Sequence, residues 1–291
     1  MKKTVIASVA ALAGLSGLLG ASPATAAVQP NIVGGTGAMG NTSWMVSLQF
    51  DAPKYGRINS HTCGGSLVFR EWVATNAHCV TDMPPQALMK AKLFNANGCQ
   101  QPQPIPTEEK QFKVRVGSKD RTTGGETANV VQVVVHPGWH WGMTTPVDDI
   151  AMLKLDHPVN KQPIQLAGRA AQAGDRIRLY GWGVDSPDCS PNLPTRLQQL
   201  DTKVLPPIKC AEVGQSAGEI CTNNPHGTDG PGPGDSGSPA VKFNRDGTAQ
   251  LVGSCSRAAA ELPGESPTVY TSEPDFRQWL YDTARGVAAG A

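Results

Sequence analysis

The stretch Gly234-Asp235-Ser236-Gly237-Ser238-Pro239 decides how this 291-residue chain is read. A serine hydroxyl is a weak nucleophile at neutral pH, so acyl chemistry on it needs a base beside it and donors for the oxyanion it creates. Glycine at 234 and 237 lets the backbone take conformations a β-carbon forbids, so the amides of Gly234 and Ser236 can converge on one point. A plain Gly/Ser/Pro turn of a β protein has the same composition. The base must therefore be found elsewhere in the chain.

All six histidines, His61, His78, His136, His140, His157 and His226, precede Ser236. An α/β-hydrolase order needs its histidine after the serine and a glycine where this chain has Ser238. An Asp-His-Ser order has only Asp51 ahead of His78. The order left is His, Asp, Ser. His78 closes the apolar run Val73-Ala74-Thr75-Asn76-Ala77, and Asp149 heads the run Ile150 to Leu155.

With these residues in view the chain resembles the trypsin/chymotrypsin family of serine endopeptidases, as a bacterial-type secreted member. The matching pieces, in order, are Ile32-Val33-Gly34-Gly35, Cys63-Gly64-Gly65-Ser66-Leu67, Ala77-His78-Cys79, Asp149-Ile150-Ala151, Gly181-Trp182-Gly183, the Ser236 hexapeptide and Val269-Tyr270-Thr271. The resemblance implies His78 as general base, Asp149 as the buried carboxylate that fixes its tautomer, and Ser236 as nucleophile, with an oxyanion hole at Gly234 and Ser236. Asp148 is the neighbouring alternative to Asp149, which is preferred because it directly precedes Ile-Ala. The other histidines have no such motif: His136-Pro137 and His157-Pro158 read as loop residues.

The amino terminus carries Lys2-Lys3, a mostly apolar run from Val5 to Ala21, and the small-residue site Ala24-Thr25-Ala26, the pattern of an export signal over residues 1–26. Without the two leader lysines, 23 basic residues face 24 acidic ones, a balance that favours neither nucleic acid nor an anionic membrane as partner. Seven cysteines in a secreted chain should mostly be oxidised. The resemblance pairs Cys63 with Cys79 and Cys210 with Cys221. Of Cys99, Cys189 and Cys255, at least one is left free or intermolecular, and the favoured bridge is Cys99 to Cys189. No C-x-x-C occurs, and Pro137-Gly138 between His136 and His140 argues against a helical zinc pair. No metal or cofactor is expected.

Gly 32, Pro 24 and only 5% aromatic residues suggest short strands and turns. Trp44 to Phe50 alternates with the period of a half-buried strand, and comparable runs recur at Trp72 to Thr75, Phe112 to Val116, Val130 to Val135, Met152 to Leu155, Ile177 to Tyr180, Leu197 to Leu205, Pro239 to Phe243 and Gln250 to Val252. The expected fold is all-β: two antiparallel six-stranded barrels, roughly 32–150 and 151–291, with a C-terminal helix. That helix should start with Ser272 as N-cap and Pro274 in its first turn, bury Phe276, Trp279 and Leu280, and stop at Gly286. The Pro-rich segment from Thr81 to Gln111 reads as a loop insertion bordering the cleft.

The resemblance also implies a zymogen. Loss of a propeptide over residues 27–31 would free the Ile32 ammonium to pair with Asp235, and Asn31, where the family commonly has Arg or Lys, points to an activating protease unlike trypsin. The pocket residues it implies are Gly230 at the floor and Ser256, Arg257, Ala258 and Thr268 on the walls. With no carboxylate at 230, and with Ala258 and Thr268 where wide-pocket members have glycines, cleavage should follow small or medium uncharged residues. Arg257 for the usual Trp, Gly232 and Glu261 for a bracing cystine, and Pro231 and Pro233 are departures from the family pattern. The expected partners are protein or peptide substrates and the activating protease, and the expected state is a secreted monomer. A silent binding protein on the same scaffold and a narrow processing protease are the competing functions.

Overall fold

In the computed structural model, which describes residues 32–85, 104–141, 148–185, 193–259 and 262–287, the alternating runs close into two barrels. The strands are β1 (Thr36–Gly37), β2 (Met45–Ala52), β3 (Arg57–Phe69), β4 (Trp72–Thr75), β5 (Gln111–Val116), β6 (Glu126–Val135) and β7 (Ala151–Leu155), then β8 (Gln165–Leu166), β9 (Arg176–Gly181), β10 (Gln198–Leu205), β11 (Glu219–Thr222), β12 (Pro239–Phe243), β13 (Ala249–Ala258) and β14 (Thr268–Thr271). The first barrel runs β2-β3-β4-β7-β6-β5 and closes through the β2–β5 pairing. The second runs β9-β10-β11-β14-β13-β12 and closes through β12–β9, with β1 added on β10 and β8 parallel to β13. All barrel pairings are antiparallel, as short strands joined by turns require.

Each barrel fills its interior with aliphatic side chains. Leu48, Leu67, Val73, Val114 and Leu153 occupy the first, and Ile177, Leu179 and Val252 the second. Burying each such side chain contributes about 1.5–3 kcal/mol. The strand β2 departs from the half-buried expectation, because Ser47 and Gln49 on its polar face are as inaccessible as Met45 and Leu48. Their hydrogen bonds explain it. Ser47 Oγ bonds His61 Nδ1 at 2.8 Å, and Gln49 Nε2 donates to the Arg121 carbonyl at 2.6 Å. Burial costs these groups little because partners replace water.

The C-terminal helix α1 (Arg277–Arg285) starts later than Ser272-x-Pro274 suggested. Residues 272–276 form turns instead, with Asp275 N donating to Ser272 O and Phe276 N to Glu273 O. Ser272 is fully buried, so its side chain packs into the protein rather than capping a helix in water. Trp279 and Leu280 are buried as expected, and Gly286 ends the helix at φ 70°. Of the Thr81 to Gln111 insertion only the two ends are described. Asp82 Oδ1 accepts from Thr107 N at 2.9 Å and from Thr107 Oγ1 at 2.7 Å, which ties the base of the loop together before β5 resumes.

Candidate active site

His78 lies on a 3₁₀ turn, Ala77–Cys79, at the end of β4, and Asp149 immediately precedes Ile150 and β7. The β4–β7 pairing sets Thr75 opposite Ala151, which brings the two ends together. The Cys63–Cys79 disulfide pins the turn to β3. His78 Nδ1 then meets Asp149 Oδ2 at 2.7 Å, and His78 N donates to Asp149 Oδ1 at 2.9 Å. The carboxylate is 2% exposed. It accepts two further side-chain bonds on Oδ2, from Ser256 Oγ at 2.7 Å and Asn76 Nδ2 at 2.9 Å. Burial acts to raise the Asp149 carboxyl, but the His78 ring and backbone amide and the Ser256 hydroxyl outweigh it and hold the group below the usual carboxylate value. Asp149 is thus charged and fixed. The alternative, Asp148, turns instead to His136, 3.4 Å away.

Ser236 sits on the loop between Gly230 and β12, brought to the first barrel by close backbone packing. Gly64 N donates to Ser236 O at 2.7 Å. A β-carbon on Gly237, at φ +74°, would lie 2.3 Å from Thr75 Oγ1 and 2.5 Å from Gly64 O, and one on Gly64 would lie 2.8 Å from Ser238 Cα. Glycine is required on both sides of this junction. Around the serine, Asp235 N, Gly237 N and Ser238 N are committed to Gly232, Cys255 and Asp235 carbonyls, whereas Gly234 N and Ser236 N donate to no group among the described residues. These are the two amides expected to receive an oxyanion. His78 Nε2 lies 3.8 Å from Cys79 Sγ, and no hydrogen bond joins it to Ser236 Oγ among the described residues.

The remaining expected residues fall around this junction. Asp235 is buried, accepting from Gly183 N at 2.7 Å and Gly232 N at 3.0 Å. Burial pushes its carboxyl up to about 7, more than those two donors offset. Ile32 is 1% exposed within the second barrel's core, and Val33 bridges to Gly230. Ser256, Arg257 and Ala258 end β13, with Thr268 opposite Ala258. The Arg257 guanidinium is engaged within the fold: it pairs with Glu219 through Nη1 at 2.5 Å and Nη2 at 2.9 Å, and donates to the Val213 and Gly214 carbonyls.

Of the disulfides, Cys63–Cys79 and Cys210–Cys221 are formed and Cys255 is free and buried. Cys99 and Cys189 lie outside the described residues, as do Glu261 and residues 1–31. Cys63, His78 and Cys79 cluster within 4.8 Å, but both sulfurs are spent in the disulfide and offer no thiolate to a metal.

Sequence reasoning missed two residues. His61 lies on β3 with Nε2 donating to the Gly234 carbonyl at 3.0 Å, so it steadies the residue that carries one of the unused amides. Burial lowers it to about 4, which keeps it neutral. Asn76 is the other. Their separations from Gly234 and Asp149, 173 and 73 residues, left no local signal.

A carboxylate-held imidazole, a serine on a glycine-walled turn and two idle amides, all at the seam of two barrels, are the parts of an acyl-transfer site. The family model described as Trypsin matches residues 32–280, and the chain belongs to this family. Among curated relatives, it is 29% identical to Lectizyme of Glossina austeni, covering 86% of this chain and 84% of that one. It is 28% identical to Trypsin beta of Drosophila erecta (87% and 88%) and 29% identical to Kallikrein 1-related peptidase b16 of Mus musculus (91% and 94%). The fold matches neuropsin, a serine protease expressed in the limbic system of mouse brain, with a TM-score of 0.67 at 24% identity, over 87% of this chain and all of that one. These relatives are insect and mammalian, and they lend no support to the bacterial-type assignment.

Proposed function

We propose that this chain is a secreted serine endopeptidase, made as a precursor and active once residues 27–31 are removed. Ser236 attacks the scissile carbonyl and His78 takes its proton and returns it to the leaving amine. Asp149 holds the imidazole with Nδ1 protonated, and the Gly234 and Ser236 amides receive the oxyanion. The observation that carries the reading is the 2.7 Å His78–Asp149 bond beside two unused amides on the Ser236 loop. Hydrogen bonds between base and nucleophile are often long or poorly aligned before substrate arrives, so the missing His78–Ser236 bond does not exclude the pair. No described helix is long and apolar enough to cross a membrane.

Cleavage after small or medium uncharged residues remains the proposed preference. Gly230 brings no charge to the pocket floor, and Arg257 is neutralised by Glu219. The test is labelling of the processed chain by an organophosphonate probe together with a peptide-library profile. Labelling and turnover should both vanish in Ser236→Ala, with turnover falling roughly 10⁴–10⁶-fold. A processed, folded chain that binds partners but takes no label would establish the silent binding protein instead.

A further inference from the structure

Asn76 is fully buried two residues before His78, at the start of the 3₁₀ turn that carries it, and its side-chain amide spans the seam between the barrels. Nδ2 reaches the Asp149 carbonyl at 2.8 Å, Asp149 Oδ2 at 2.9 Å and Thr271 Oγ1 of β14 at 3.3 Å. Three acceptors surround this atom, so the nitrogen rather than the oxygen must face them. Asn76 Oδ1 is left with no partner among the described residues. A residue kept only for packing would not leave a buried acceptor unpaired where alanine would leave none.

Resting on the endopeptidase reading, we propose that Asn76 is a positioning residue for the reaction: by donating to the same Asp149 oxygen that holds His78, it draws off part of that oxygen's charge and sets how acidic a medium the enzyme can work in. Oδ2 shares its charge among His78 Nδ1, Ser256 Oγ and Asn76 Nδ2. With the third donor present, the carboxylate stabilises an imidazolium less, and His78 stays an unprotonated base to lower pH.

The other charged or titratable groups facing the pair are few. Asp148 directly precedes Asp149 in the chain and has His136 against it. Burial lowers His136, more than Asp148 raises it. Arg257 Nη1 approaches Ser256 Oγ at 3.4 Å but is neutralised by Glu219. The Cys255 thiol, which feels Asp235 and Asp149, is pushed up by burial and stays protonated. Two of these groups change charge near the range where a histidine base does, His136 and the Asp235 carboxyl that burial pushes up to about 7, so the measurement must resolve the individual rings and compare each variant with its parent in the same processed form.

Two readouts test the proposal. In processed Ser236→Ala protein with isotopically labelled histidine, the His78 ring followed by NMR should titrate at a pH higher by roughly half a unit to one unit in Asn76→Ala, and in Asn76→Ser, whose side chain is too short to reach Asp149 Oδ2. In the active chain the acid limb of kcat/KM should move up by the same amount, a loss of about 3- to 10-fold on that limb with the alkaline plateau kept. His136 should not move. A His78 titration that is unchanged or shifted down in both folded variants would overturn the proposal. Because the titration needs no turnover, it stands or falls separately from the endopeptidase reading, which fails if the wild-type chain hydrolyses nothing.

Discussion

Gly237 shows how single residues join the two barrels. Any side chain there would enter the space of Thr75 Oγ1 and the Gly64 carbonyl, at a φ that L-residues disfavour. Gly237→Ala should therefore either push the Ser236 loop away from β3 or strain it in place. The expected cost is about 2–4 kcal/mol, read as a lower midpoint in denaturant unfolding, with kcat falling more than KM rises because the loop carries the nucleophile. A variant of unchanged stability and turnover would show that the seam has slack. At this scale the sequence was legible where chemistry, chain order and the family resemblance coincide: His78 and Asp149, chosen that way, meet at 2.7 Å in the fold. It was silent on His61 and Asn76, whose meaning comes from partners across the fold, and a side chain's contacts at such range leave no trace in its neighbours.

Elements were legible where one periodicity dominated. The strand runs survive because alternation follows from the pleat itself. The start of α1 was misplaced because Ser272-x-Pro274 is a sound capping signal only where Ser272 faces water, and tertiary packing has buried it. The Ser47 hydroxyl and Gln49 amide of β2 were read as the exposed face of a half-buried strand for the same reason. No local pattern announces that another element supplies the partners.

Arg257 belongs to this scale, since its guanidinium fastens the end of β13 to β11 and to the Val213-Gly214 turn. Glu219 is 4% and Arg257 13% exposed, so removing one partner strands a buried charge. Glu219→Gln should cost about 3 kcal/mol, whereas the double replacement Glu219→Leu with Arg257→Leu should recover most of that loss. The check is a double-mutant cycle in chemical denaturation of Ser236→Ala protein. Additive losses in the double variant would mean that the pair acts as two independent contacts rather than one clamp.

Burial raises two acids in this fold, Asp235 and Glu273, and Asp235 is the one that processing would address. Asp235 is buried against Gly181 and Gly183 at the end of β9 with two backbone donors and no cation bonded to it among the described residues, and burial has pushed its carboxyl from 3.8 up to about 7. A carboxyl raised on folding favours the folded state below its unfolded value and loses that advantage as pH rises to the folded value. In the precursor the deficit therefore opens between pH 3.8 and about 7, and is complete above it, on the order of 4 kcal/mol. Processing at residue 31 would reverse the sign, because an Ile32 ammonium paired with the carboxylate turns the uncompensated charge into an attraction. That attraction is whole below the free amine's pKa of about 8 and fades as pH climbs through the raised value in the fold. Asp235→Asn separates the two states. Introduced into Ser236→Ala protein at pH 8, it should raise the unfolding free energy of the chain that keeps residues 27–31 and lower that of the chain that begins at Ile32. The measurement is a pair of denaturant titrations at pH 5 and pH 8 on each form, with the precursor's gain from Asp235→Asn shrinking at pH 5. The same sign in both forms at pH 8 would mean that the new terminus never reaches Asp235, and the precursor mechanism would fall while the reading of the triad stood.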